Sequence, residues 1–144
     1  MKAITTTLLL LLILSVSSAC GDSNGIAVKD AWARPGFRGD NSAVYLTINN
    51  TTDQGDGLIG ANTDIAGGTE IHLSKMDAAG TMTMERQDQV VIPAKDSVEL
   101  APGGLHIMLV ILGEDLSVGD TFPVTLEFQR AGDITIEVEV KQPD

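Results

Sequence analysis

The sequence predicts an all-β fold, a single antiparallel β-sandwich or barrel. Short runs of strand-forming residues alternate with turn sequences such as "TTDQGDG" (51–57) and "APGG" (101–104). In the last run, 134–140, Ile and Val alternate with Thr and Glu, which is the period of a strand with one buried face. After the N-terminal segment no stretch has a convincing helical period, and short strands joined by regular turns are typical of a sandwich or barrel.

Nine strands are predicted in chain order. They are residues 26–33, 42–49, 68–73, 81–86, 89–93, 97–100, 105–112, 121–129 and 134–140. A chain of 144 residues corresponds to one domain, which can bury a sizeable core without disulfide bonds. The residues expected to supply this core are Trp32, Val44, Leu46, Ile48, Leu109, Ile111, Leu126 and Phe128.

The N-terminus has the pattern of a secretory signal peptide. Lys2 precedes the apolar run 8–14, which is too short to span a bilayer and is followed by small residues. Cys20 follows "SSA", which resembles the lipobox of bacterial lipoproteins except that Ser17 stands where leucine is preferred. We expect export to the periplasm or the outer face of a bacterial membrane, with an ordinary cleaved signal as the alternative to lipidation. The expected segments are a lipoprotein-type signal peptide at 1–19, a polar tether at 20–25 and the folded domain at 26–144.

The charge balance is acidic. The chain has 20 Asp and Glu residues against 9 Lys and Arg residues, a formal net charge of −11. Such a surface disfavours nucleic acids and anionic lipids as partners. Cys20 is the one cysteine of the sequence. The folded domain is therefore expected to contain neither a disulfide bond nor a thiolate metal site.

The predicted strand "LHIMLVIL" (105–112) is apolar on both faces, which indicates a strand buried on both sides. His106 and Met108 share one face and lie just after the glycine-rich turn 101–104. Taken alone, a histidine there is more often a core residue with a hydrogen-bond partner than a ligand. Its position at the start of a strand predicts a place at the rim of the sandwich, where binding sites are common.

The histidines and methionines cluster between residues 72 and 108. Apart from Met1 the window contains all of them, namely His72, Met76, Met82, Met84, His106 and Met108. Packing does not explain this confinement, because Leu, Ile and Val are spread along the whole chain. Imidazole and thioether groups are neutral and the sulfur is soft, so the set suits Cu(I) better than Zn(II), Ca(II) or Mg(II). In an oxidising exported compartment a thioether also forms no disulfide.

The spacing resembles the signature of the periplasmic copper chaperones called PCu(A)C. That signature is a histidine, eleven residues, a methionine, twenty-one residues, then histidine, any residue and methionine, and His72, Met84, His106 and Met108 match every step. The resemblance extends through "DAWARP", "AVYLTINN", "ELAPGGLHIMLV" and "VGDTFPVTLEF". It implies a cupredoxin-like β-sandwich in which those four side chains bind Cu(I). It also implies delivery of the ion to a recipient, such as the dinuclear copper site of cytochrome c oxidase subunit II.

Two features depart from the family pattern. Leu73 stands where a methionine commonly follows the first histidine, and the C-terminal "EVKQPD" lacks the His- and Met-rich tail of some members. A second copper site on such a tail is therefore not expected. Met82, two residues before Met84, is expected to shield the site or exchange with a ligand, and Met76 to pack or lie exposed in a loop.

Other functions remain as alternatives. A blue-copper electron carrier requires a cysteine thiolate, which the folded domain does not have. An exported immunoglobulin-like module that binds protein or belongs to the envelope would have no use for the His/Met cluster. Copper storage or resistance would use the same site. We expect a non-enzymatic monomer that contacts a copper-recipient protein or assembly factor and reaches the membrane only through a lipid on Cys20.

Overall fold

The computed structural model describes residues 22–23 and 25–143, and the all-β prediction is confirmed. No helix occurs among these residues. The strands are β1 Asp22–Ser23, β2 Ile26–Ala33, β3 Ser42–Asn50, β4 Asp56–Asn62, β5 Ala66–Met76, β6 Met82–Arg86, β7 Val90–Ile92, β8 Ser97–Leu100, β9 Leu105–Leu112, β10 Thr121–Phe128 and β11 Gly132–Val140. Across the same residues no helix is long and apolar enough to cross a membrane.

The strands form one hydrogen-bonded sheet in the order β6-β5-β9-β3-β2-β11-β10-β4-β7, with β1 added to β2 and β8 added to β3. Neighbouring strands are antiparallel except β11 and β2, which pair in parallel. Along strands such as β10 and β11 alternate side chains are buried, and the buried side chains pack together into one core. Its largest fully buried members are Ile26, Leu46, Ile48, Leu58, Ile92, Leu100, Ile107, Leu109, Leu112, Leu126, Val44 and Val124.

β4 is not among the strands predicted from the sequence, in which 51–57 is a turn and the residues that follow belong to no predicted strand. Gly57 and Gly60 lower the β-propensity of this segment. In the structure both glycines make room for a neighbouring side chain. A Cβ on Gly60 would lie 2.7 Å from a carboxylate oxygen of Glu127, and one on Gly57 would overlap the Gln89 side chain. Leu58 lies between the two glycines and is fully buried, which secures β4 to the core.

Ile111 is not part of the core, and the prediction for this residue is wrong. Ile111 is 59% exposed, although the period of a strand puts it on the same face as the buried Ile107 and Leu109. The cause is the backbone, since Ile111 has φ +57, which turns its side chain outward. Its N–H donates a 2.9 Å hydrogen bond to the side chain of Asn41, and Leu112 then returns to the core.

The predicted signal peptide, residues 1–19, and Cys20 lie outside the described residues. Within the predicted tether, Asp22 and Ser23 form β1, paired antiparallel with Ala27 and Ile26. The longer strand β2 begins at Ile26, where the sequence places the start of the domain.

Candidate metal centre

The predicted ligands lie on three adjacent strands at one edge of the sheet, β6, β5 and β9. His72 on β5 is directly opposite His106 on β9, and Ser74 on β5 is directly opposite Met84 on β6. Opposed residues of antiparallel strands point to the same side of a sheet, and so do residues two apart on one strand. His72, Met84, His106 and Met108 therefore share one side of the sheet, which we call the His–Met face.

His106 is held deep in this face, with 4% of its surface exposed. Its Nδ1 lies 3.1 Å from the carbonyl oxygen of Gly104. Because a carbonyl oxygen only accepts, Nδ1 of the neutral ring carries the proton and donates it. The lone pair is then on Nε2, which is the nitrogen available to a metal ion.

Two aromatic side chains form a wall beside the His106 ring. The centroids of the Tyr45 and His106 rings are 6.3 Å apart. Tyr45 in turn packs against Trp32 with a centroid distance of 4.6 Å. Trp32 is half-buried, so the residue that the sequence places in the core instead supports the wall of the site.

His72 has the opposite tautomer. Its Nε2 lies 2.7 Å from a carboxylate oxygen of Glu70, so this nitrogen carries the proton and donates it. Its Nδ1 is buried and has no hydrogen-bond partner, and among the side chains that the structure describes it is the one buried nitrogen or oxygen atom in this condition. Leaving such an atom unpaired costs about 1–3 kcal/mol. A metal ion bound at Nδ1 would give this lone pair a partner. A buried ring nitrogen without a hydrogen bond is therefore what we expect of a ligand in the metal-free state.

Glu70 links His72 to a cation. Its second carboxylate oxygen lies 3.4 Å from an Nη of Arg86, which is opposite His72 on β6. Both charged residues lie on the His–Met face, and Glu70 is opposite Met108. The carboxylate is thereby held against the imidazole from the side away from Nδ1.

The two imidazole rings are neighbours. Their centroids are 5.9 Å apart and their planes meet at 68°, an edge-to-face arrangement. Both side chains are almost fully buried. Two shielded imidazole rings therefore lie side by side on the inner part of the His–Met face.

The sulfur atoms lie toward solvent. A groove of about 510 Å³ opens on the His–Met face, and Met108 is half-buried in it while Met84 is 58% exposed. Arg34 is the one charged residue in its lining among the described residues. The lining residues are Arg34, Pro35, Asn41, Ser42, Ala43, Tyr45, Ser74, Met82, Met84, Pro102, Gly103, His106 and Met108.

This donor set suits a soft, singly charged ion. Two neutral imidazoles and two thioethers supply no negative charge, whereas Ca(II) and Mg(II) require oxygen ligands and zinc sites contain thiolate, imidazole or carboxylate. The described residues contain no group of three or more His, Cys, Asp or Glu side chains arranged to hold a metal. The nitrogen and sulfur donors of the His–Met face fit Cu(I).

The structure also places the residues that the sequence leaves ambiguous. Leu73 is opposite Leu105, so it faces away from His72 and its difference from the family signature does not touch the His–Met face. Met82 lines the groove, whereas Met76 is exposed at the end of β5. Sequence reasoning missed Glu70, although a carboxylate two residues before His72 in a strand must lie on the same face.

Solved structures similar to this chain include PCuAC domains. The copper-bound PCuAC domain from PmoF2 is 29% identical, with a TM-score of 0.71, over 85% of this chain and 97% of that domain. The CuI-DR1885 structure from Deinococcus radiodurans is 29% identical, with a TM-score of 0.59, over 79% of this chain and 78% of that one. The molecule therefore has the cupredoxin-like β fold of PCuAC domains.

The family model described as "Putative lipoprotein LpqE-like" matches residues 26–140. The chain belongs to this LpqE-like family, which is of PCuAC type. The uncharacterized protein RP573 of Rickettsia prowazekii (strain Madrid E) is 32% identical over 113 residues. The match spans 76% of this chain but 62% of the Rickettsia protein, less than two thirds of its length.

Proposed function

We propose that this protein binds Cu(I) outside the cytoplasm and delivers it to a recipient protein, with His72, Met84, His106 and Met108 as the ligands. The similarity to PCuAC domains supports a copper-chaperone role, since the PmoF2 domain is copper-bound and DR1885 is in its CuI form. One observation carries the ligand assignment. The strand register puts four neutral nitrogen and sulfur donors on one face, beside a buried imidazole nitrogen that has no partner.

In this proposal the two histidines bind through different nitrogens. His106 uses Nε2, because its Nδ1 donates to the carbonyl of Gly104. His72 uses Nδ1, because Glu70 accepts from its Nε2. Glu70 acts as a positioning residue, since a carboxylate that holds the second ring nitrogen fixes the tautomer and orientation of a ligand imidazole and makes it more basic.

Burial sets the expected order of release. The histidines are nearly enclosed, while Met84 belongs to β6, all five residues of which are exposed. A ligand from a recipient would therefore reach the ion from the Met84 side and displace that thioether first. Stepwise exchange of this kind transfers the ion without releasing it into solvent.

The proposed recipient is the copper site of a protein such as cytochrome c oxidase subunit II. A recipient that offers thiolate ligands adds negative charge to the ion, so transfer from four neutral ligands is downhill. The proposal requires no reaction on a substrate, so the protein is not an enzyme. Export with a lipid on Cys20 would hold it at the outer face of a bacterial membrane, where such a recipient is found.

The test is a Cu(I) titration in competition with a chromophoric chelator. Single alanine substitutions at each of the four ligands should lower the Cu(I) affinity, and the double substitution of His106 and Met108 should abolish it. Thr83→Ala is the matched control, because Thr83 lies between two methionines on β6 and faces the other side of the sheet. Far-UV circular dichroism checks that each variant is folded. A folded double variant that retains the wild-type affinity would refute the proposal.

A further inference from the structure

Three methionines are exposed together on the β5–β6 hairpin. Met76, Met82 and Met84 are 66%, 50% and 58% exposed. β6 is at the end of the strand order, and none of its residues is buried. Packing therefore gives no reason for methionine at these positions, and an apolar side chain in water is unfavourable. Their shared chemical property is a soft thioether sulfur.

The register brings these side chains together. Met76 and Met82 are directly opposite each other, which places their Cβ atoms about 4.5–5.5 Å apart on one side of the hairpin. Methionine has three rotatable side-chain bonds, so the two sulfur atoms can approach a common ion. Met84 lies two residues further along β6 on the same side. The ion pair between Lys75 and Glu85 lies on the opposite side. On the methionine side Arg86 follows Met84 by two residues, and its charge is paired with Glu70.

The turn at the tip holds this register. The backbone N–H of Asp77 donates to the carbonyl of Thr81 at 3.0 Å. The carboxylate of Asp77 accepts from the backbone N–H groups of Ala79 and Thr81 at 2.9 and 2.8 Å. Gly80 has φ +81, a conformation that favours glycine. The opposed pair is therefore presented by an ordered hairpin.

We infer that Met76 and Met82 form a second, weaker Cu(I) site through which the ion enters and leaves the His–Met site. This inference rests on the proposed function. The thioethers form a series, with Met76 at the hairpin tip, Met82 and Met84 in the groove lining and Met108 deeper beside the imidazoles. Two thioether sulfurs bind Cu(I) more weakly than a site with two imidazoles and two thioethers. An ion at an exchange site must be held weakly enough to move on. Each step replaces one neutral ligand by another.

The experiment is a titration of [¹³C-methyl]methionine-labelled protein with Ag(I), a soft, redox-inert monovalent ion, followed by methyl NMR. The first equivalent should shift the Met84 and Met108 methyl signals and the imidazole signals. Ag(I) beyond one equivalent should shift the Met76 and Met82 methyl signals. In the variant Met76→Leu the first response should be unchanged and the second lost, because leucine keeps the apolar volume and removes one of the two sulfurs.

The outcomes separate the two proposals. If the first equivalent leaves the imidazole, Met84 and Met108 signals unmoved, the ligand assignment of the proposed function fails. If that response is present but excess Ag(I) leaves Met76 and Met82 unmoved, the second site is refuted. The exchange route through this site is refuted if the Met76→Leu variant unloads Ag(I) to a competing chelator as fast as the wild type does.

Discussion

Replacing Glu70 with alanine tests whether the hydrogen bond from His72 Nε2 to this carboxylate raises the Cu(I) affinity. The substitution removes the carboxylate that lies 2.7 Å from His72 Nε2. Removing a carboxylate that holds the second nitrogen of a ligand histidine typically lowers metal affinity about 10- to 100-fold, because the carboxylate makes the bound imidazole more basic. Because the Glu70 side chain is 35% exposed, solvent screening favours the lower end of that range. We therefore expect a loss of about 1.5 kcal/mol, which is about a tenfold lower Cu(I) affinity.

The conservative variant Glu70→Gln separates orientation from charge. The amide oxygen of glutamine still accepts from Nε2, but a neutral hydrogen bond is about half as strong, so the loss should be about threefold. Glu85→Ala is the matched control, since Glu85 lies on the other side of the same hairpin and pairs with Lys75. The Cu(I) affinity of the Glu85→Ala variant should equal that of the wild type.

The assay is chelator competition for affinity, combined with ¹⁵N NMR of the imidazole nitrogens for the tautomer. In the metal-free wild type we expect the proton on Nε2 of His72 and on Nδ1 of His106. An equal or higher affinity in Glu70→Ala would refute the reasoning. It would mean that the ion displaces the carboxylate and binds at Nε2 of His72.

Three further outcomes are expected. Leu126→Ala, at a fully buried position remote from the His–Met face, should lower the free energy of unfolding by about 2–5 kcal/mol in urea and leave Cu(I) affinity unchanged. Ile111→Asn should raise the free energy of unfolding by about 1 kcal/mol, because asparagine tolerates a φ of +57 better than isoleucine does; a loss of similar size would contradict this account. Free Cu(I) at 100 times its dissociation constant should stabilise the wild type by about 2.7 kcal/mol in thermal unfolding. The double alanine variant of His106 and Met108 should gain nothing from the ion.

Local pattern was sufficient for most of the strands. The predicted bounds of β2, β8 and β9 agree with the structure, because period-2 alternation and turn residues are properties of contiguous sequence. Local pattern does not predict β4, because the reason for Gly60 lies on another strand, where Glu127 occupies the space that a side chain would take. It does not predict the exposure of Ile111 either, because a single positive φ reverses the side-chain alternation and isoleucine gives no sign of it.

By itself, the sequence determined an all-β domain and a set of soft, neutral donors whose spacing resembles a copper-chaperone signature. The residue types determine that the donor atoms are soft and neutral, and the spacing determines which predicted strand carries each of them. Only the tertiary structure decided which donors are neighbours, since the pairing of β5 with β9 puts His72 opposite His106. It also decided which nitrogen of each ring is free. That choice depends on hydrogen bonds to Glu70 and Gly104, whose geometry exists only once the chain has folded.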